Sequence, residues 1–176
     1  MPIIPDPPLT AYEPYFHPGT VGMGCRTLGG EPIFRLGEAA HLWQSSLRRL
    51  QADHPFRLLG YVTVPDRVQV LLIPTGSSPA AKVMDRALAY FTGDYRSLMG
   101  DPGRLLVWER QIDRQPVADV ADFAAQLDRL HYAPVAAGLV PHPEDWPHGS
   151  FQAWIDRGLY KLGWGWTLPD RLQKKK

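Results

Sequence analysis

Two apolar segments, "FRLLGYVTV" (56–64) and "RVQVLLIP" (67–74), are joined only by Pro65 and Asp66. So short a connection makes the two strands antiparallel neighbours, because a parallel partner needs a crossover of a dozen residues or more. The rest of the chain must be arranged around this hairpin. In its second strand Val68, Val70 and Leu72 alternate onto one face, while Arg67, Gln69 and Leu71 share the other. A fully buried strand would not open that other face with an arginine and a glutamine.

Helical patterns bracket the hairpin. "GEAAHLWQSSLRRLQADHP" places Ala39, Trp43, Leu47 and Leu50 on one stripe and ends at Pro55. "SSPAAKVMDRALAYFTGDYRSLMG" is a second helix, with Ser78 as the expected cap, Pro79 in its first turn and Gly100 past its end. A third, "DVADFAAQLDRLHYAPV", is capped by Asp119, carries Phe123, Leu127 and Leu130 on its apolar stripe, and is expected to stop at Pro134. Upstream, "TVGMGCRTL" (20–28) reads as a strand containing two glycines; "RLLVWERQIDRQPV" (104–117) reads as strand or irregular. The order β-α-β-β-α-β is the split β-α-β, ferredoxin-like pattern. The expected class is α+β: an antiparallel sheet with helices on one face, followed by a Trp- and Pro-rich C-terminal extension.

The chain of 176 residues suits one domain. We divide it into an extended, proline-rich N-terminal arm (1–18), a domain with its extension (19–166), and a solvated basic tail (167–176). A net charge of +1 supplies no bulk field for a polyanion, so any basic surface must be local. The single cysteine, Cys25, excludes an internal disulfide. With no signal-peptide pattern and no stretch of membrane-spanning length, the expected location is cytoplasmic, without membrane association. His142 and His148 are too isolated to suggest a metal site.

The segments "VPDRVQVLL", "VWERQIDRQPV" and above all "APVAAGLV…EDWPHGSF…RGLY…GW" resemble the REP-associated tyrosine transposases, a single-domain bacterial branch of the HUH nucleases. That family typically reads NPV-x-x-GLV, DWP-x-SSF, RG-x-Y and DWG in this order, and the resemblance runs over roughly residues 19–166. It implies DNA transposition through a covalent phosphotyrosine. Two histidines, in P-N-H-x-H or P-E-H-x-H, hold Mg²⁺ or Mn²⁺ against the scissile phosphate, and a tyrosine in D-Y-I-H-x-N-P attacks it.

All three chemical positions depart from that pattern. Arg67 and Gln69 stand where the histidines belong, and Arg129 stands where the tyrosine belongs. A guanidinium has no acceptor and cannot ligate a cation. No metal or other cofactor is therefore expected. The leading reading is a DNA-binding protein that recognises hairpin or single-stranded DNA through Arg67, Gln69, Arg129, Arg26, Arg110 and Arg114, without nuclease activity. One alternative is a protein-interaction module, which the near-neutral charge favours. Another is an active metal-dependent transposase that uses Tyr132 as a displaced nucleophile. For Arg67 and Gln69 the plain reading is a solvated edge; for Arg129 it is a surface arginine paired with Asp122 or Asp128.

Overall fold

The computed structural model describes residues 2–104 and 107–174. Among these residues, β1 (Val21–Thr27), β2 (Phe56–Val64), β3 (Arg67–Pro74) and β4 (Trp108–Pro116) form a four-stranded sheet in the order β2-β3-β1-β4. Every neighbouring pair is antiparallel. Helices α2 (Gly37–Asp53) and α3 (Ala80–Met99) make the two crossovers, β1 to β2 and β3 to β4. This is the ferredoxin-like arrangement expected from the order of elements. A one-turn helix, α1 (Leu9–Tyr12), precedes the sheet; α4 (Val120–Ala136) and α5 (Phe151–Asp156) follow it.

Side-chain alternation sets the layers. Met23, Cys25, Val68, Val70 and Leu72 face Trp43, Leu47 and Leu50 of α2 and Val83, Met84 and Phe91 of α3. Only these two long helices lie on the expected face. The opposite face of the hairpin also presents apolar residues, Val62, Val64, Leu71 and Ile73, and α4, α5 and the C-terminal extension cover them. Phe123 and Leu127 of α4, with Phe151, Trp154 and Trp164 of the C-terminal extension, are fully or nearly fully buried there. Removing side chains of this size from water stabilises the fold by about 1.5–3 kcal/mol each. The sheet is therefore sandwiched, and α4 is held close enough to build a site against it.

Local details explain how α4 seats. The β2–β3 register shifts between Leu58 and Gly60, and a Cβ at Gly60 would lie 3.0 Å from Leu127 Cδ1. The missing side chain lets the helix approach. Asp119 caps α4 as expected, its Oδ1 accepting from the Asp122 N–H at 2.8 Å. Pro134 does not stop the helix; it sits inside the last turn. There the proline gives up one backbone donor, and the end is closed instead by Gly138 (φ 70), with the Gly138 and Leu139 N–H groups bonding the Val135 and Pro134 carbonyls.

Three other expectations are corrected. Ser78 is not the cap of α3: Pro79 holds that position without a side-chain bond, and Ser78 Oγ bonds His54 Nδ1 at 2.8 Å instead. The N-terminal arm is not simply extended, since α1 carries a fully buried Tyr12 into the α4 layer. Nor is the tail wholly solvated, because Arg171 is drawn inward onto Asp128. Met1, the expected strand residues Leu105 and Leu106, and Lys175 and Lys176 of the basic tail lie outside the described residues.

Gly93 interrupts the middle of α3 on an exposed face, and a Cβ there would meet nothing within 4 Å. We expect Gly93→Ala to stabilise the protein by about 0.5–1 kcal/mol through helix propensity and a less flexible unfolded chain, measured by urea unfolding. No described helix is long and apolar enough to cross a membrane.

Candidate functional site

Helix α4 leaves part of the sheet uncovered. Between its Gln126, Arg129 and Leu130 and the strands β3, β1 and β4 lies an open cleft of about 90 Å³. The pairing register describes its floor as successive rungs across the sheet. Leu71, Gly22 and Gln115 form one rung; Gln69, Gly24 and Asp113 form the next. A third, nearest the hairpin turn, sets Arg26 directly opposite Arg67. A strand alternates its side chains, so these residues share the face turned away from α2 and α3.

The two glycines of β1 create the trough. At Gly24 an added Cβ would lie 3.3 Å from the Val68 carbonyl oxygen. At Gly22 it would come within 2.4 Å of Gln126 Oε1, so any side chain there would displace the amide that closes this end of the cleft.

Of the expected residues, Gln69 and Arg129 are brought together in this cleft. Arg67 is not beside Arg129. It stands at the turn end, 3.7 Å from Asp66 Oδ1, and does not line the cleft. Arg26 and Arg110 line a second, larger concavity of about 470 Å³ next to it, with Trp108, Glu109 and Asp113. Arg114 pairs with Met23, whose side chain is buried against α2 and α3; alternation therefore turns Arg114 away from the cleft. Tyr132 is not in the cleft either: its ring lies on the C-terminal extension, where a Cβ at Gly165 would be 3.5 Å from its Cδ2.

The basic side chains in and beside the cleft are not paired locally. The side chains of Arg26, Arg110 and Arg129 make no hydrogen bond or ion pair with any described residue. Both plain partners for Arg129 are committed elsewhere. Asp122 accepts from the Ala118 N–H and from Gln126, and Asp128 faces the interior.

Behind the cleft, α4 is fixed by a buried polar network. Tyr12 and Tyr160 donate to Asp128 Oδ1 at 2.6 and 2.7 Å, and Arg171 bonds Oδ2. The Arg171 guanidinium also reaches Tyr12 and the Pro7 carbonyl, while its backbone N–H donates to Asp6. Asp6 in turn accepts from Trp164 Nε1. His131 continues the chain through Nδ1 to Tyr160 (3.1 Å) and Nε2 to Ser150 Oγ (2.8 Å), which accepts from the Tyr61 N–H at 3.0 Å. The Tyr160 proton is used on Asp128, so the consistent assignment is Nδ1–H donating to Tyr160 and Nε2 accepting from Ser150. Burial depresses the His131 pKa to about 3. His131 is thus a wholly buried structural group.

The cleft residues do not fit Mg²⁺ or Mn²⁺. Gln69 offers one amide oxygen and Asp113 one carboxylate, and Arg129 adds a fixed positive charge to the same space. Among the described residues there is no group of three His, Cys, Asp or Glu side chains able to hold a metal ion. Asp113, Gln115 and Gln126 were missed from sequence. Their placement depends on the β1–β4 register and on the seat of α4, neither of which a local pattern encodes.

No family model matches this chain. Its sequence is 22% identical over 123 residues to the REP-associated tyrosine transposase of Escherichia coli (strain K12), covering 69% of this chain and 70% of that protein. The fold matches the solved structure of the REP-associated tyrosine transposase bound to a REP hairpin. The TM-score is 0.74 at 16% identity, over 92% of this chain and 94% of the other.

Proposed function

We propose that this protein binds single-stranded or hairpin DNA across the rung face of its sheet, and does not cut it. The observation that carries this is the pairing of Arg26 with Arg67. Like charges directly opposite each other on neighbouring strands destabilise a sheet. Among the described residues Arg26 has no ion-pair partner, and Arg67 has only a loose one in Asp66. A phosphate set between the two guanidiniums turns that repulsion into charge-assisted hydrogen bonds. The sequence and fold similarities to a transposase, whose solved complex holds a REP hairpin, support the same ligand class.

The absence of cutting follows from the chemistry of the substituted positions. Arg67 and Gln69 supply no imidazole for a metal, Arg129 supplies no nucleophile, and the Tyr132 ring rests on the C-terminal extension outside the cleft. A nucleophile and its electrophilic partner act as a unit, so losing both leaves no partial mechanism.

Fluorescence anisotropy with labelled hairpins bearing a single-stranded flank tests the binding half. Arg26→Ala and Arg67→Ala should each weaken binding similarly for all sequences, and reduce the slope of log K against log salt by ~0.7 on a single strand. On a denaturing gel no covalent DNA–protein adduct should appear with Mn²⁺. An adduct abolished by Tyr132→Phe would overturn the claim about cutting. Failure to bind any hairpin or single strand at low salt would overturn the claim about DNA.

A further inference from the structure

We infer that the cleft beside the arginine rung is a pocket for one unstacked guanine. This rests on the DNA-binding reading above and deepens it by naming the base that the site reads.

The two rungs beyond Arg26 and Arg67 are chemically unlike a phosphate site. They carry Asp113, Gln69 and Gln115 over the bare backbone of Gly22 and Gly24. A carboxylate repels phosphate. Base edges, in contrast, are read by glutamines, carboxylates and arginines. Along a strand, residues two apart are separated by roughly 6.6 Å. That offset suits a nucleotide whose phosphate sits on the arginine rung and whose base lies over the glycines. The cleft volume of about 90 Å³ corresponds to roughly six to nine waters, enough for a single base. Leu71 and Leu130 give it apolar contact, and the polar groups surround it.

The identity of the base follows from the two charges. Asp113 only accepts hydrogen bonds and Arg129 only donates them. Both line the cleft, yet they form no ion pair with each other. Guanine presents two adjacent donors on one edge, N1–H and the 2-amino group, and two acceptors on another, O6 and N7. The carboxylate matches the first pair and the guanidinium fork the second. Adenine has no N1–H. Cytosine and thymine have no second edge carrying a pair of acceptors. The side-chain amides of Gln69 and Gln115 make no hydrogen bond with described residues and remain available to the ligand.

The test uses hairpins with an otherwise all-thymine single-stranded flank, in which one position carries guanine, inosine, 7-deazaguanine, adenine or cytosine. Anisotropy should show guanine bound about 5- to 100-fold more tightly than the other natural bases. Inosine, which lacks the 2-amino group, and 7-deazaguanine, which lacks N7, should each lose part of that preference. Asp113→Asn should erase the difference between guanine and inosine, and Arg129→Met the difference between guanine and 7-deazaguanine. Neither should change the salt slope, since neither group touches phosphate. Both residues are exposed and unpaired, so the variants should fold; circular dichroism checks this. Equal affinity for all bases overturns the pocket while leaving DNA binding intact. Preference for another base overturns the assignment to guanine. A guanine preference that survives both substitutions places the reading elsewhere and also overturns it. Absence of binding to any of the hairpins overturns the DNA reading and this inference together.

Discussion

Arg171→Met should destabilise the protein by about 3–5 kcal/mol, the cost of breaking a buried ion pair by removing one partner. For a chain of this size that lowers Tm by roughly 6–20 °C. The expectation rests on Asp128, whose side chain is 0% exposed and whose Oδ2 is engaged by Arg171. Burial raises the Asp128 carboxyl pKa, while the hydroxyls of Tyr12 and Tyr160 and the guanidinium of Arg171 pull it back down. Without Arg171 it rises further. The folded variant then holds a proton that the unfolded chain has released, so its stability falls as pH rises above the ordinary carboxylate range. The penalty should therefore be larger at pH 8 than at pH 5. Adding Asp128→Asn should recover much of the loss, because a neutral amide tolerates burial next to two phenols better than a lone carboxylate does. Urea unfolding of wild type, both single variants and the double variant closes the cycle. A pH-independent loss, or no recovery in the double variant, would mean that Arg171 acts through its packing over the Tyr12 ring, 5.0 Å from its centroid, and not through charge.

That network was the least legible part of the chain, and the reason is sequence distance. Asp6, Tyr12, Asp128, Tyr160 and Arg171 come from the arm, α4, the C-terminal extension and the tail, and nothing local announces that they meet. Arg171 was hidden by its neighbours in "RLQKKK", a run whose composition reads as solvated. One signal was present. Asp128 follows Ala124 by four residues and His131 follows Leu127 by four, so both polar residues fall on the apolar stripe of α4, where each needs a buried partner.

The hairpin, the helical stripes of α2 and α4 and the ferredoxin-like order were legible, because each is a short-range pattern with period 2 or 3.6. The second covered face was not, since the C-terminal extension alternates in no simple way and its Trp and Pro residues fix only that it packs somewhere. In the site, Gln69 and Arg129 were found from their positions in motifs. Asp113 and Gln115 needed the register of β4 against β1, which slips between Cys25 and Thr27 and cannot be counted from sequence. Arg114 illustrates the same point: one step along β4 from Asp113, it belongs to the other face.

Acid should unfold this protein through His131. Its ring is buried between Tyr160 and Ser150, and burial lowers its pKa to about 3, against ~6.5 for an unfolded histidine. Between those two values the unfolded chain binds a proton that the folded one refuses, so stability rises with pH across the window. It is fully present above about pH 6.5 and is lost at up to about 1.4 kcal/mol per pH unit below that, roughly 2 kcal/mol by pH 5. The comparison is with His131→Gln, which cannot titrate and so isolates the contribution of this ring. That variant should be less stable at pH 7.5, where it loses one of the two bonds made by the ring. Its stability should also fall less between pH 7.5 and pH 5, by about the same 2 kcal/mol. Parallel curves for the two proteins would show that His131 is charged in the folded state. The assignment of Nε2 as acceptor would then fail, because an imidazolium has no acceptor nitrogen left for the Ser150 hydroxyl.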